Sequence, residues 1–149
     1  MKFPTTAEDI KNEILISADT SGDLRIRQLI NILSKADPEI VVEGVIQVIE
    51  LEGRPNPFAD QETAGKILDA IKPKSQKDLK VILIRTLRQW NKSVEQFPFW
   101  LRDNYGLETV SLTFDQLKFD EIEGEKLKTM KWWLGIKATS NPQPPTTNL

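Results

Sequence analysis

Between Lys72 and Lys92 the chain carries seven bases and one acid, Asp78. Read as a helix over 76–92, this segment places Lys77, Arg85, Arg88 and Lys92 on one face, with Lys80 at its margin. Such a row supports two kinds of recognition. It can neutralise successive phosphates and release their counterions, or it can steer and hold an acidic protein surface. Val81 and Ile84 project to the same side, which favours a contact surface over a merely solvated face. The segment from Asp37 to Glu52 has five acids and no base, so the two stretches can also balance each other within the fold.

Rings form the second candidate. Gln96–Gly106, QFPFWLRDNYG, holds four of them in eleven positions. Phe97, Trp100, Leu101 and Tyr105 share one helical face and read as core, which leaves Phe99 off that face and partly exposed. In Trp132-Trp133, adjacent helix positions point about 100° apart, so both rings cannot serve one buried stripe. Trp133 falls on the face of Leu127, Met130 and Leu134, and Trp132 is left either to pack under the tail or against the solenoid end, or to anchor a partner.

The acids Asp115, Asp120, Glu121, Glu123 and Glu125 gather enough charge for a divalent ion, but they lack the ordering of a calcium loop. The interleaved Lys118, Lys126, Lys128 and Lys131 make surface pairing the simpler reading. No glycine-rich phosphate loop is present. The chain has no cysteine and no histidine. That removes thiolate nucleophiles, imidazole bases and the usual zinc ligands, and leaves carboxylate, Lys, Arg or Tyr chemistry without a pattern that would assemble it. A net charge of −2 gives bulk electrostatics no pull on nucleic acid or anionic membrane. No apolar run is long enough to span a bilayer, and the N-terminus turns polar after Phe3.

The elements that must position these residues read as helices. Thr6-Ala7-Glu8-Asp9 is a capping-box-like start for a helix over 6–19, and a second runs over 23–36. The segment ADPEIVVEGVIQVIELEG is rich in β-branched residues, yet alternation fails at Val45-Ile46 and Val48-Ile49. Its polar Glu39, Glu43, Gln47 and Glu50 form one narrow stripe, Asp37 can cap, and Pro38 suits the first turn. The spacing therefore predicts a helix over 38–52 that is buried nearly all round. Further helices are expected over 60–72, ending before Pro73, and over 97–105. The helix over 76–92 opens on Ser75-Gln76-Lys77-Asp78, read as a capping box. It carries Leu79, Ile82, Leu83, Thr86, Leu87 and Trp90 at helical spacing. Residues 109–114 alternate as a short strand but also fit a helix, and a last helix is expected over 123–136. The tail 138–149, rich in Pro, Thr and Asn, is expected to be disordered beside a single domain over 1–137.

An offset of 39 residues lays the segment from Asp37 over the one from Gln76. It matches Ile40 with Leu79, Val42 with Val81, Val45 with Ile84, Val48 with Leu87 and Leu51 with Trp90. With its Asp37-Pro38-Glu39-Ile40 opening, the chain resembles the HEAT-like helical repeat family, chiefly over 37–91. The resemblance implies an all-α, short solenoid of about three antiparallel helix pairs: 6–19 with 23–36, 38–52 with 60–72, and 76–92 with 97–105. Residues 107–137 would then form a C-terminal cap.

The expectation is a cytoplasmic, non-catalytic module without cofactor or metal that binds another protein. Its candidate contacts are Lys77, Lys80, Arg85, Arg88, Lys92, Phe99 and Trp132. The alternative is nucleic-acid binding through the basic face of helix 76–92.

Overall fold

The computed structural model describes residues 3–137, which form helices and no strand. In chain order these are α1 (Ala7–Asp19), α2 (Leu24–Leu33), α3 (Pro38–Glu50), α4 (Pro57–Ile71), α5 (Leu79–Thr86), α6 (Gln96–Tyr105), α7 (Leu107–Gln116) and α8 (Glu121–Leu134). The expected disordered tail, 138–149, lies outside the described residues.

Local chemistry sets the starts. Thr6, Asp37, Asn56, Asp78 and Asp120 each accept a backbone N–H of the first turn that follows. Asn56 with Pro57 moves the start of α4 three residues ahead of the expected Asp60. At Asp120 the box is complete, because the Glu123 side chain accepts the Asp120 N–H. The stretch 109–114 is helical. Val110, Thr113 and Phe114 fall at i, i+3 and i+4 and are all buried, and no strand lies among the described residues to pair with an extended segment.

The helix expected over 76–92 is corrected to Leu79–Thr86. Ser75 accepts the Lys77 N–H in a turn ahead of it, and Asp78 is the actual cap. At the other end the Gln61 amide donates to Gln89 O and accepts from Asn91 N, so a side chain of α4 replaces the next helical turn. Lys77, Arg88 and Lys92 therefore lie outside α5, and the single basic helical face does not form as drawn from the sequence.

The helices pack in two rows. α1, α3, α5 and α7 touch one another in chain order, and so do α2, α4, α6 and α8, with α1 also crossing α4. Pairs α1–α2 and α3–α4 are in contact as expected. The third pair differs: α5 rests on α3 and α7, and α6 on α4, α7 and α8. Burial also separates the aligned copies. Val42 and Val45 are 1% exposed in α3, whereas Val81 and Ile84 are 50% and 60% exposed in α5. α3 is enclosed by α1, α4 and α5, while α5 keeps an open side.

Enclosing α3 requires close approach by α1. A Cβ on Gly44 would stand 2.6 Å from Ile10 Cγ2 and 2.9 Å from Ile10 Cβ, and Ile10 is itself fully buried. Gly124, in α8, has nothing within 4 Å of that position. Gly44→Ala is expected to lower the urea midpoint by the equivalent of about 1–3 kcal/mol through overpacking. Gly124→Ala is expected to raise it by about 0.5–1 kcal/mol through helix entropy. Equal responses of the two variants would contradict this packing.

Candidate interaction surface

The polar stripe of α3 binds the chain that follows α4. Glu39 accepts from Ser75 Oγ and Gln76 N, each at 2.7 Å. Glu43 accepts from both terminal nitrogens of Arg85, at 2.9 and 2.8 Å, and from Gln47, and it pairs with Lys77 at 3.0 Å. Glu50 takes Arg85 Nε at 2.9 Å and Nη2 at 2.5 Å. One guanidinium thus holds two carboxylates bidentately. The Arg85 bonds, with smaller help from Gln47 and Lys77, hold the Glu43 carboxyl down to about 2 from an ordinary 4.5. Glu39 is lowered as well, first by the Gln76 N–H and then by the Ser75 hydroxyl. The hydrogen bonds that Arg85 donates to Glu50 and Glu43 push its already high value higher.

The seven candidates therefore divide. Lys77 and Arg85 face α3, and Arg88 pairs with Asp120 at 2.6 Å in a largely exposed bridge. Lys80 and Lys92 are exposed. The basic residue that sequence reasoning missed as a structural element is Lys126. Its ammonium donates to Arg88 O and Trp90 O, closing the ragged end of α5 from α8. Burial, with Lys92 nearby, lowers its pKa. The acidic cluster is also put to structural use: Asp120 caps α8 and Glu125 pairs with Lys128.

The rings collect on the other row. Of the four tryptophans, three use the indole N–H on a backbone carbonyl: Trp90 on Val94 O, Trp100 on Pro73 O and Trp133 on Lys92 O. Trp132 makes no such bond among the described residues and is 71% exposed. Its ring meets Trp133 edge-on at 4.8 Å between centroids, and Trp133 meets Phe99 edge-on at 6.2 Å. Arg102 lies over the Phe99 ring at 5.0 Å. Phe99, partly exposed as its spacing suggests, thus joins Trp132 through Trp133 into one strip across α6 and α8. The doublet Trp132-Trp133 signals this strip in the sequence, but its continuation to Phe99 depends on α6–α8 packing, which no local pattern encodes.

Beside Phe99 the C-terminal end of α4 and the face of α6 enclose a cleft of about 170 Å³. Pro73, Phe99 and Trp100 supply its rings and Asn104 a polar wall. On its rim Lys72 pairs with Asp69 at 3.6 Å and Asp103 with neighbouring Arg102 at 3.0 Å, while Lys74 is exposed beside them. Strip and cleft together join exposed rings to a mixed-charge rim, with one indole donor that has no partner among the described residues.

The clasp on α3 has a pH signature. Glu43 has a folded value below its unfolded one, so its contribution is complete above about 4.5 and is lost as pH falls towards about 2. Arg85→Met leaves Glu43 and Glu50 facing each other in a partly buried site. It is expected to cost about 1–3 kcal/mol at neutral pH, between the values of exposed and fully buried pairs. In urea unfolding across this range, the gap between wild type and Arg85→Met should narrow as pH falls, and Glu43→Gln should flatten the acid limb. A gap independent of pH would remove the clasp from the stability of the fold.

Among the described residues no helix is long and apolar enough to cross a membrane. Set against family models, curated proteins and solved structures, the chain matches none. Its function is therefore argued from its own side chains.

Proposed function

We propose that this chain is a non-catalytic protein-binding module, built as a short α-solenoid similar to HEAT-like repeats. It docks a segment of a partner protein on the strip Trp132–Trp133–Phe99 and the adjoining cleft. The observation that carries this reading is Trp132, 71% exposed on an ordered helix and braced by a second ring. Tryptophan is the side chain most enriched among residues that dominate interface energy, and burying such a ring contributes about 2 kcal/mol or more. Bracing by Trp133 limits the ordering cost of binding, because a rigid ring loses little freedom when covered.

The two rows of helices, each stacked in chain order, support the solenoid architecture, which presents extended helical faces to partners. Exposed Lys80 and Lys92 act on encounter rate rather than as the grip. Nucleic-acid binding through the 76–92 region is the weaker reading. A phosphate would have to displace two bidentate carboxylates from Arg85 and one from Lys77.

Capture from native lysate tests the proposal by comparing wild type, Trp132→Ala and Lys80→Glu/Lys92→Glu, with and without nuclease. The expected result is a protein held by wild type and by the lysine variant, lost with Trp132→Ala and indifferent to nuclease. Capture that nuclease abolishes, or that Trp132→Ala leaves intact, would overturn it.

A further inference from the structure

We propose that the partner segment docked on the strip is acidic. It seats one apolar side chain in the cleft between α4 and α6 and sets its carboxylates on the ammoniums of Lys72 and Lys74. This inference rests on reading the strip as a docking surface and names the chemistry of its occupant.

The cleft measures about 170 Å³, and an apolar cavity of about 150 Å³ accepts benzene. It therefore has room for one side chain of the size of leucine or phenylalanine. Leu68, Pro73, Phe99 and Trp100 give it apolar walls. Those walls are held in place, because the Trp100 indole donates to Pro73 O at 2.7 Å and Asn104 bonds Ser75 through both amide atoms. A pocket already formed loses little freedom when it is filled.

Charge at the mouth of the cleft is unbalanced. Lys72, Lys74 and neighbouring Arg102 stand against two acids, Asp69 and Asp103. Arg102 is committed, to Asp103 at 3.0 Å and to the Phe99 ring at 5.0 Å. The Lys72–Asp69 pair is loose, 3.6 Å long with side chains 64% and 73% exposed, and such a pair holds its lysine only weakly. Lys74 is exposed and has no acid within salt-bridge distance among the described residues. A surplus cation beside an apolar pocket suits a carboxylate next to an apolar side chain.

The backbone of Lys72 points the same way. It ends α4 in the left-handed conformation, with φ 52° and ψ 54°, and is the only residue other than glycine with positive φ among the described residues. Glycine is the usual choice there, because a Cβ crowds the following carbonyl. A base serving only the helix C-terminus could sit in the last turn without strain, and α4 has none there. The chain thus carries a lysine at a backbone cost on the rim of the cleft, as a side chain that meets a ligand would be carried.

The probe is a random peptide library displayed on phage and selected on the full-length protein. Selected peptides are expected to carry an aromatic residue or leucine with Asp or Glu close on either side. Lys74→Gln and Lys72→Gly should each weaken the tightest peptide by about three- to fivefold, and added salt should weaken it further. Lys72→Gly should also raise the melting temperature by about 2–4 °C, since glycine relieves the strained cap. Binding and stability moving in opposite directions separate a role in recognition from one in folding. Selected peptides without acids would overturn the proposal, as would acidic ones that bind both lysine variants as tightly as wild type. Trp132→Ala tells that failure from failure of the docking surface. Peptides lost with Trp132→Ala yet indifferent to both lysines leave the strip as a docking surface and remove its acidic occupant. Peptides indifferent to Trp132→Ala overturn the docking reading, and this inference with it.

Discussion

The constraint on which the rest depends is the burial of α3 with three carboxylates on its only polar edge. A helix enclosed by α1, α4 and α5 cannot leave Glu39, Glu43 and Glu50 unpaired, because a partly desolvated carboxylate without a partner is costly. The chain answers with one planar guanidinium that fits two carboxylates at once, a geometry an ammonium could not reproduce. It adds a turn, 75–77, whose hydroxyl, N–H and lysine meet the other oxygens. This arrangement fixes the rotation of α5: Arg85 must face α3, so Ile84 and Val81 turn outward and Leu79, Ile82, Leu83 and Thr86 turn inward. The exposed aliphatic pair is thus a consequence of the clasp.

The clasp in turn needs its loops held. The 73–78 connection is bonded from α6 by Trp100 to Pro73 O, by both amide atoms of Asn104 to Ser75, and by Tyr105 to Lys77 O. The connection after α5 is bonded from α4 by Gln61 and from α8 by Lys126 and Trp133. Each bond satisfies a backbone group that no helix completes, and each ties one row of helices to the other. A chain with no cysteine and no histidine places amides, indoles, a phenol and an ammonium on its loop carbonyls instead.

Much of this was legible beforehand, for identifiable reasons. The narrow polar stripe from Glu39 to Glu50 revealed α3 as an enclosed helix against its strand-like composition, because periodicity reports packing more directly than propensity does. Leu79, Ile82, Leu83, Thr86, Leu87 and Trp90 were readable as core and are all buried, although the helix stops at Thr86. Periodicity identifies which residues face inward; it does not say which bonds end a helix when a distant glutamine supplies them. The basic row misled for a related reason. A helical wheel records the direction of a side chain from its own axis, and whether Arg85 meets water or Glu43 depends on the neighbour 42 positions away.

The same distinction shows why Trp132 is the informative residue of the candidate site. Trp90, Trp100 and Trp133 each have a structural reason to be tryptophan, a buried or half-buried ring combined with an N–H bonded to a loop carbonyl. Lys77 and Arg85 have theirs in the acids of α3. Trp132 has no such reason within the described fold. Its ring is mostly in water, its N–H has no partner among the described residues, and helix α8 would form with Ala or Lys in its place. A large apolar ring kept on the surface contributes little to folding, which is why the proposed docking surface is centred on it. Because the core does not rely on it, removing that ring tests the proposed binding without disturbing stability, which no substitution at Arg85 or Lys77 can do.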